Sequence, residues 1–158
     1  MEWDLVLRWL HVLVAAVLMG TGVGIAFFML MAHRTGRIAV IAHTAGIVVA
    51  ADFIFTATAA ILQPVTGVLL AQSVGWSLTE GWIVASVALY LLVGACWLPV
   101  VWMQKRMRDL ARAAEAAGTP LPGEYFRLFR VWLALGVPAF LAMLAIFWLM
   151  LARPDLAP

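Results

Sequence analysis

Charge is scarce in this chain. Only 11% of its 158 residues are Asp, Glu, Lys or Arg, against roughly 25% in a soluble domain. With 66% hydrophobic residues and a mean hydropathy of +1.05, an ordinary water-soluble domain is excluded. Cysteine is nearly missing. Cys96 stands alone in an apolar run, so neither an intrachain disulfide framework nor a Cys-based zinc site can form. There is no Ser/His/Asp set, Walker loop, zinc-ligand spacing or dinucleotide fingerprint, so no catalytic residue is assigned. The start lacks the basic segment of a cleavable signal, and its apolar run is too long for a signal core. That run is expected to be a retained helix. The length is short for a large transporter and suits one compact bundle.

What the chain does have is four long apolar runs. A helix needs about 20 apolar residues to cross a bilayer. The expected helices cover about 5–31, 38–70, 82–112 and 124–151. The expected fold is all-α: a polytopic, antiparallel bundle of four transmembrane helices forming a single domain, 1–158. Gly118-Thr119-Pro120-Leu121-Pro122-Gly123 breaks the third run from the fourth. The stretch Gln104 to Glu115 is charged and rich in helix formers, so the third helix is expected to continue out of the membrane. Its basic residues suit an anchor on anionic lipid, and no nucleic-acid partner is expected. Gly20 and Gly24 form a GxxxG pair suited to close helix packing in the bundle.

The basic residues orient the bundle. Arg34, Arg37, Lys105, Arg106, Arg108, Arg112, Arg127 and Arg130 lie on the first and third links or beside them. The other side holds only Arg8 and Arg153. Eight against two places both termini and the second link in the periplasm of a bacterial inner membrane. Trp3, Trp9, Trp76, Trp82 and Trp148 would form the outer aromatic belt, with Trp102, Tyr125 and Trp132 near the inner one.

The polar residues within the runs are the candidates for chemistry. Asp52 is the most costly, because a carboxyl in hydrocarbon is tolerated only facing protein or water. Asp52, Thr56, Ala59 and Gln63 share one helix face, expected to turn into the bundle. Pro64 is expected to kink that helix or end its regular part. Aligning depths across the short first link proposes two layers. Arg8, His11, Gln63, Tyr90 and Met143 would lie in the outer half; Thr21, Asp52 and Cys96 would lie near the midplane. The structural reading of Asp52 is a carboxyl bonded to Thr21, Thr56 or a backbone carbonyl. The functional one is a proton relay or a cationic or hydroxylated ligand. His11 reads either as a helix-end residue bonded to Gln63 or Tyr90, or as a haem-iron ligand. His43 is on the order of 20 Å away along the helix axis and cannot be a second ligand to the same iron. Met143, Met150, Tyr90, an open position or another protomer would complete the site.

Several segments resemble an uncharacterised bacterial family, a domain of unknown function in four-helix inner-membrane proteins. They are Leu7-Arg8-Trp9-Leu10-His11-Val12-Leu13, Gly20-Thr21-Gly22, Ala32-His33-Arg34-Thr35-Gly36, Ile61-Leu62-Gln63-Pro64-Val65-Thr66-Gly67, Gly94 to Trp102, and Arg106-Met107-Arg108-Asp109-Leu110. The resemblance covers nearly the whole chain and implies the same topology. Leu10-His11 and the glycine-containing segment after it are also similar, more distantly, to copper-resistance D proteins and J-type protoporphyrinogen oxidases. In the oxidases a histidine at this place is associated with haem b. The leading expectation is therefore a b-type haem or redox site with His11 as metal ligand and Gln63, Tyr90 and Met143 around it. The alternatives are an accessory or assembly subunit of a membrane complex, a homo-oligomer included, and passage of protons or a small solute along Asp52, Thr56 and Gln63.

The charge asymmetry yields a direct test. In a Cys96→Ala background, cysteine introduced at Ser77 should react with an impermeant thiol reagent applied from the periplasm, and cysteine at Ala113 should not. The reverse labelling would invert the topology.

Overall fold

The computed structural model describes residues 2–156. Four helices follow one another through short links: α1 (Glu2–Arg34), α2 (Ile38–Val74), α3 (Gly81–Ala117) and α4 (Gly123–Ala152). Each is long and apolar enough to cross a membrane, and no strand is present among the described residues. α2 and α3 stop at Gly75 and Gly118, whose left-handed backbone (φ 82° and 62°) closes the last turn. The 37 residues of α3 span about 55 Å at 1.5 Å per residue, well beyond a hydrocarbon layer of about 30 Å. Its last turns therefore project past the lipid.

The outward surface is what lipid demands. Phe27, Phe28, Phe53, Ile54, Leu91, Leu98 and Leu141 are all more than half exposed. Inside, the packing is uneven. At the end carrying the first and third links, here the basic end, all four helices enclose one core. It holds Ile25, Met29, Ile41, Ala45, Met107, Ala111, Tyr125, Phe129 and Trp132. Toward the opposite end a smaller cluster forms around Leu18, Ala59 and Met143, with Tyr90 against it. A bidentate pair, Arg106 to Glu124 at 2.7 and 2.9 Å, ties α3 to the start of α4 on the exposed side.

The change in packing coincides with an irregularity in α2. Residues Asp52–Thr56 form a π turn, in which the backbone bonds reach one residue further than in an α-helix. From Ile38 to Ala51, α2 lies closely against α3. From Ala57 to Val74 its close backbone neighbour is α1. The two hairpins thus diverge beyond the π turn, and long side chains bridge the wider gap. Pro64 does not end the helix, which runs on to Val74. Having no N–H, it deprives the Ala60 carbonyl of its intrahelical donor. The Tyr90 hydroxyl donates to that carbonyl over 2.6 Å. A broken backbone bond on one hairpin is repaired by a side chain from the other.

Three expectations change. Tyr125 and Trp132 do not belong to an interfacial belt: they are 0% and 4% exposed and form part of the core, as does Trp82 at 8%. Nearness to a helix end misled here, because buried packing continues to the first turns of both α3 and α4. The Gly20 and Gly24 pair does not pack against another helix of this chain. A Cβ at Gly20 would meet nothing within 4 Å, and at Gly24 only Phe28 of the same helix. Arg8 faces outward and does not join the layer around His11.

Tyr90→Phe isolates the cross-hairpin bond. It leaves the half-buried Ala60 carbonyl without a donor, so thermal or denaturant unfolding in detergent should register a loss of about 1 kcal/mol.

Candidate functional site

The Asp52 carboxyl sits at the π turn, 3% exposed. Its neighbours are hydrogen-bond donors. Trp97 Nε1–H on α3 donates to both oxygens, at 3.1 Å to Oδ1 and 3.2 Å to Oδ2. Gln104, one heptad further along α3, has its amide orientation set by the groups around it. It donates Nε2–H to Asp52 Oδ2 over 3.1 Å and accepts Trp132 Nε1–H from α4 over 3.3 Å. One network therefore joins α2, α3 and α4. The Thr56 hydroxyl lies beside the carboxyl without completing a hydrogen bond, and its oxygen is buried with no other partner.

A second group lies nearer the opposite end, between α1 and α2. The Thr66 hydroxyl donates back to the Leu62 carbonyl at 2.9 Å, one turn earlier. Its oxygen is then free to accept His11 Nδ1–H, also at 2.9 Å. The tautomer that satisfies Leu62, Thr66 and Gln63 together leaves the lone pair on His11 Nε2, which faces the Gln63 amide nitrogen at 3.2 Å. Gln63 Oε1 is buried without a partner. Gly67 allows this arrangement, since a Cβ there would stand 3.1 Å from His11 Cε1.

Between the two groups stands the Tyr90 hydroxyl on the Ala60 carbonyl. Met143 packs with Leu18 and Ala59 in the cluster that Tyr90 borders. The residues proposed around His11 thus fall into two groups, His11 with Gln63 and Tyr90 with Met143. Thr21 is half-buried on α1 and is not a partner of Asp52. Cys96 is buried beside Trp97 in sequence but takes no part in the network.

The donor set can be tested against haem. An axial histidine must present a ring nitrogen to an open slot as wide as a porphyrin. Here Nδ1 is engaged by Thr66, Nε2 faces Gln63, and the ring edge between them rests on the backbone at Gly67. In this conformation the residues do not fit that role. His33, at the basic end, is likewise occupied: it stacks on Phe129 at 3.9 Å, with Nδ1 3.3 Å from the Tyr125 hydroxyl.

Trp97, Gln104, Thr66 and Trp132 were not anticipated as site residues. Trp97 and Gln104 are seven apart and so share a face of α3. The buried positions Gln104, Met107, Ala111 and Ala114 carry that face into the charged stretch. That spacing was the available signal, and the charges around it concealed it.

These features define a four-helix integral membrane protein with hydrogen-bonded polar groups between its hairpins. The chain belongs to the family described as predicted integral membrane protein (DUF2269), whose model matches residues 5–154. Neither the curated proteins nor the solved structures gave a match.

The network predicts how α2 responds to substitution at Asp52. In Asp52→Asn one oxygen can still accept from both Trp97 and Gln104 while the amide nitrogen turns to Thr56, so stability should change little. Asp52→Leu strands two buried N–H donors and should cost about 1–3 kcal/mol for each. Unfolding of both variants in detergent checks this, with Trp97→Phe expected between them.

Proposed function

We propose that the protein moves protons within the bilayer along the inward face of α2. The observation that carries this reading is a pair of buried, unpartnered polar atoms on that face, Thr56 Oγ1 and Gln63 Oε1. Buried polar groups are nearly always paired, and those left open are natural positions for bound water. The polar stations are evenly spaced. Asp52, Thr56, the Ala60 carbonyl with the Tyr90 hydroxyl, and Gln63 follow at four, four and three residues, or roughly 4.5–6 Å of helix per step. One bridging water spans such a gap. Asp52 at one end and His11 at the other are side chains able to gain and lose a proton; between them the Thr56 and Tyr90 hydroxyls and bridging waters can pass one on, with the Ala60 carbonyl and the Gln63 amide holding those waters in place. The membrane is read as the bacterial inner membrane, with the basic end cytoplasmic.

A second reading, a subunit that docks into a larger membrane assembly or a homo-oligomer, is supported by the open space beside Gly20 and Gly22. It predicts cross-linking through cysteine at Gly20. The haem expectation for His11 would require Gln63 to swing away, and a Soret band in the purified protein would favour it.

Reconstitution into liposomes with an internal pH-sensitive dye tests the first reading. The parent protein should dissipate an imposed pH difference. Asp52→Asn should fold normally and lose this flux, since an amide does not titrate, and Thr56→Val should slow it. Flux no greater than in protein-free liposomes sinks the proposal.

A further inference from the structure

Away from the polar face, α2 and the projecting end of α3 enclose a cleft of about 440 Å³. Its α2 side is formed by Gly46, Ile47 and Ala50, with His43 toward the start of the helix. Its α3 side is formed by Arg112 and Glu115. Ile47, Ala50, His43, Arg112 and Glu115 are exposed, so the cleft opens outward rather than into the bundle. It lies at the basic end, where α3 leaves the hydrocarbon. Apolar residues therefore meet charged ones at the depth where lipid headgroups begin.

The two charges are unspent. Arg106 is held by Glu124 and Arg108 by Asp109. Among the described residues, the side chains of Arg112 and Glu115 make no hydrogen bond or ion pair, although both line the same cleft. The Arg112 guanidinium reaches across to bare backbone at Gly46, where a Cβ would stand 2.8 Å from Nη2. Gly46 thus keeps the floor open beneath the cation.

We propose that this cleft binds the headgroup of an aminophospholipid, an ethanolamine phospholipid being the simplest case. A guanidinium matches a phosphodiester with paired N–H donors. Glu115 matches a primary ammonium and opposes a headgroup that is purely anionic. The cleft therefore carries one fixed charge of each sign, as the zwitterionic headgroup does. The acyl chains continue onto exposed Ile47 and Ile54, already facing lipid. The volume suits a small polar group rather than a protein segment. This site is independent of the proton path and does not require it.

Native mass spectrometry of the purified chain tests the assignment, using phosphatidylethanolamine and phosphatidylglycerol of matched chains. The parent should retain the ethanolamine lipid in preference. Arg112→Gln should weaken it by at least about tenfold, since the paired charge-assisted hydrogen bonds to the phosphodiester are lost. Glu115→Gln should erase the preference while leaving phosphatidylglycerol bound as well or better. Gly46→Leu should fill the cleft and release both. Circular dichroism should show all three variants folded, since Arg112 and Glu115 are exposed and a side chain at half-buried Gly46 meets only the flexible end of Arg112. Equal retention by parent, Arg112→Gln and Gly46→Leu would overturn the proposal. So would a preference of the parent for phosphatidylglycerol, or full displacement by chain-free phosphoethanolamine, which would assign the cleft to a soluble ligand.

Discussion

A buried carboxyl must be met by donors, and much of the bundle's interior follows from how Asp52 is met. Removing a carboxyl from water costs several kcal/mol unless hydrogen bonds replace the lost hydration. No single helix can supply them. Trp97 and Gln104 come from α3, and Gln104 is itself oriented by Trp132 of α4. Three helices must therefore dock at one depth and in one rotation before the carboxyl is satisfied. Apolar packing against lipid-like surroundings provides little such discrimination, because lipid is as apolar as the helices. The network selects one arrangement among many that would bury similar surface.

The same reasoning explains why the two ends of the bundle differ. At the basic end, small residues on α2 such as Ala42 and Ala45 let the helices close around Met107, Ala111 and Tyr125. Beyond the π turn the hairpins part, and contact passes to side chains long enough to cross. Tyr90 does this while also replacing the donor that Pro64 lacks. A helix-breaking residue is thus tolerated in the membrane because its freed carbonyl has a partner.

The four helices were legible from composition because lipid solvation depends on the run as a whole. The inward turn of Asp52, Thr56 and Ala59 was legible from spacing, and the depth match of His11 with Gln63 from counting across a short link. The partners of Asp52 were not. Gln104 sits at the edge of a charged block and reads as solvent-facing, and Trp132 reads as an interfacial aromatic. Their roles depend on the rotation of α3 and α4 about their axes, which hydropathy does not encode. The His11 ring illustrates the same limit. Its depth was readable, but the turn of its edge onto Gly67 depends on an absent side chain in a neighbouring helix.

The π turn also determines the phase of everything beyond it. An extra residue is accommodated within Asp52–Thr56, and each residue of an α-helix advances the face by about 100°. Take that residue away, and the outer half of α2 would rotate by that angle while the inner half stayed in place. Gln63 and Thr66 would swing off α1, and His11 would face bare aliphatic surface instead. The chain length of one turn therefore acts as an angular setting, keeping two chemically unlike halves of a single helix in step with each other.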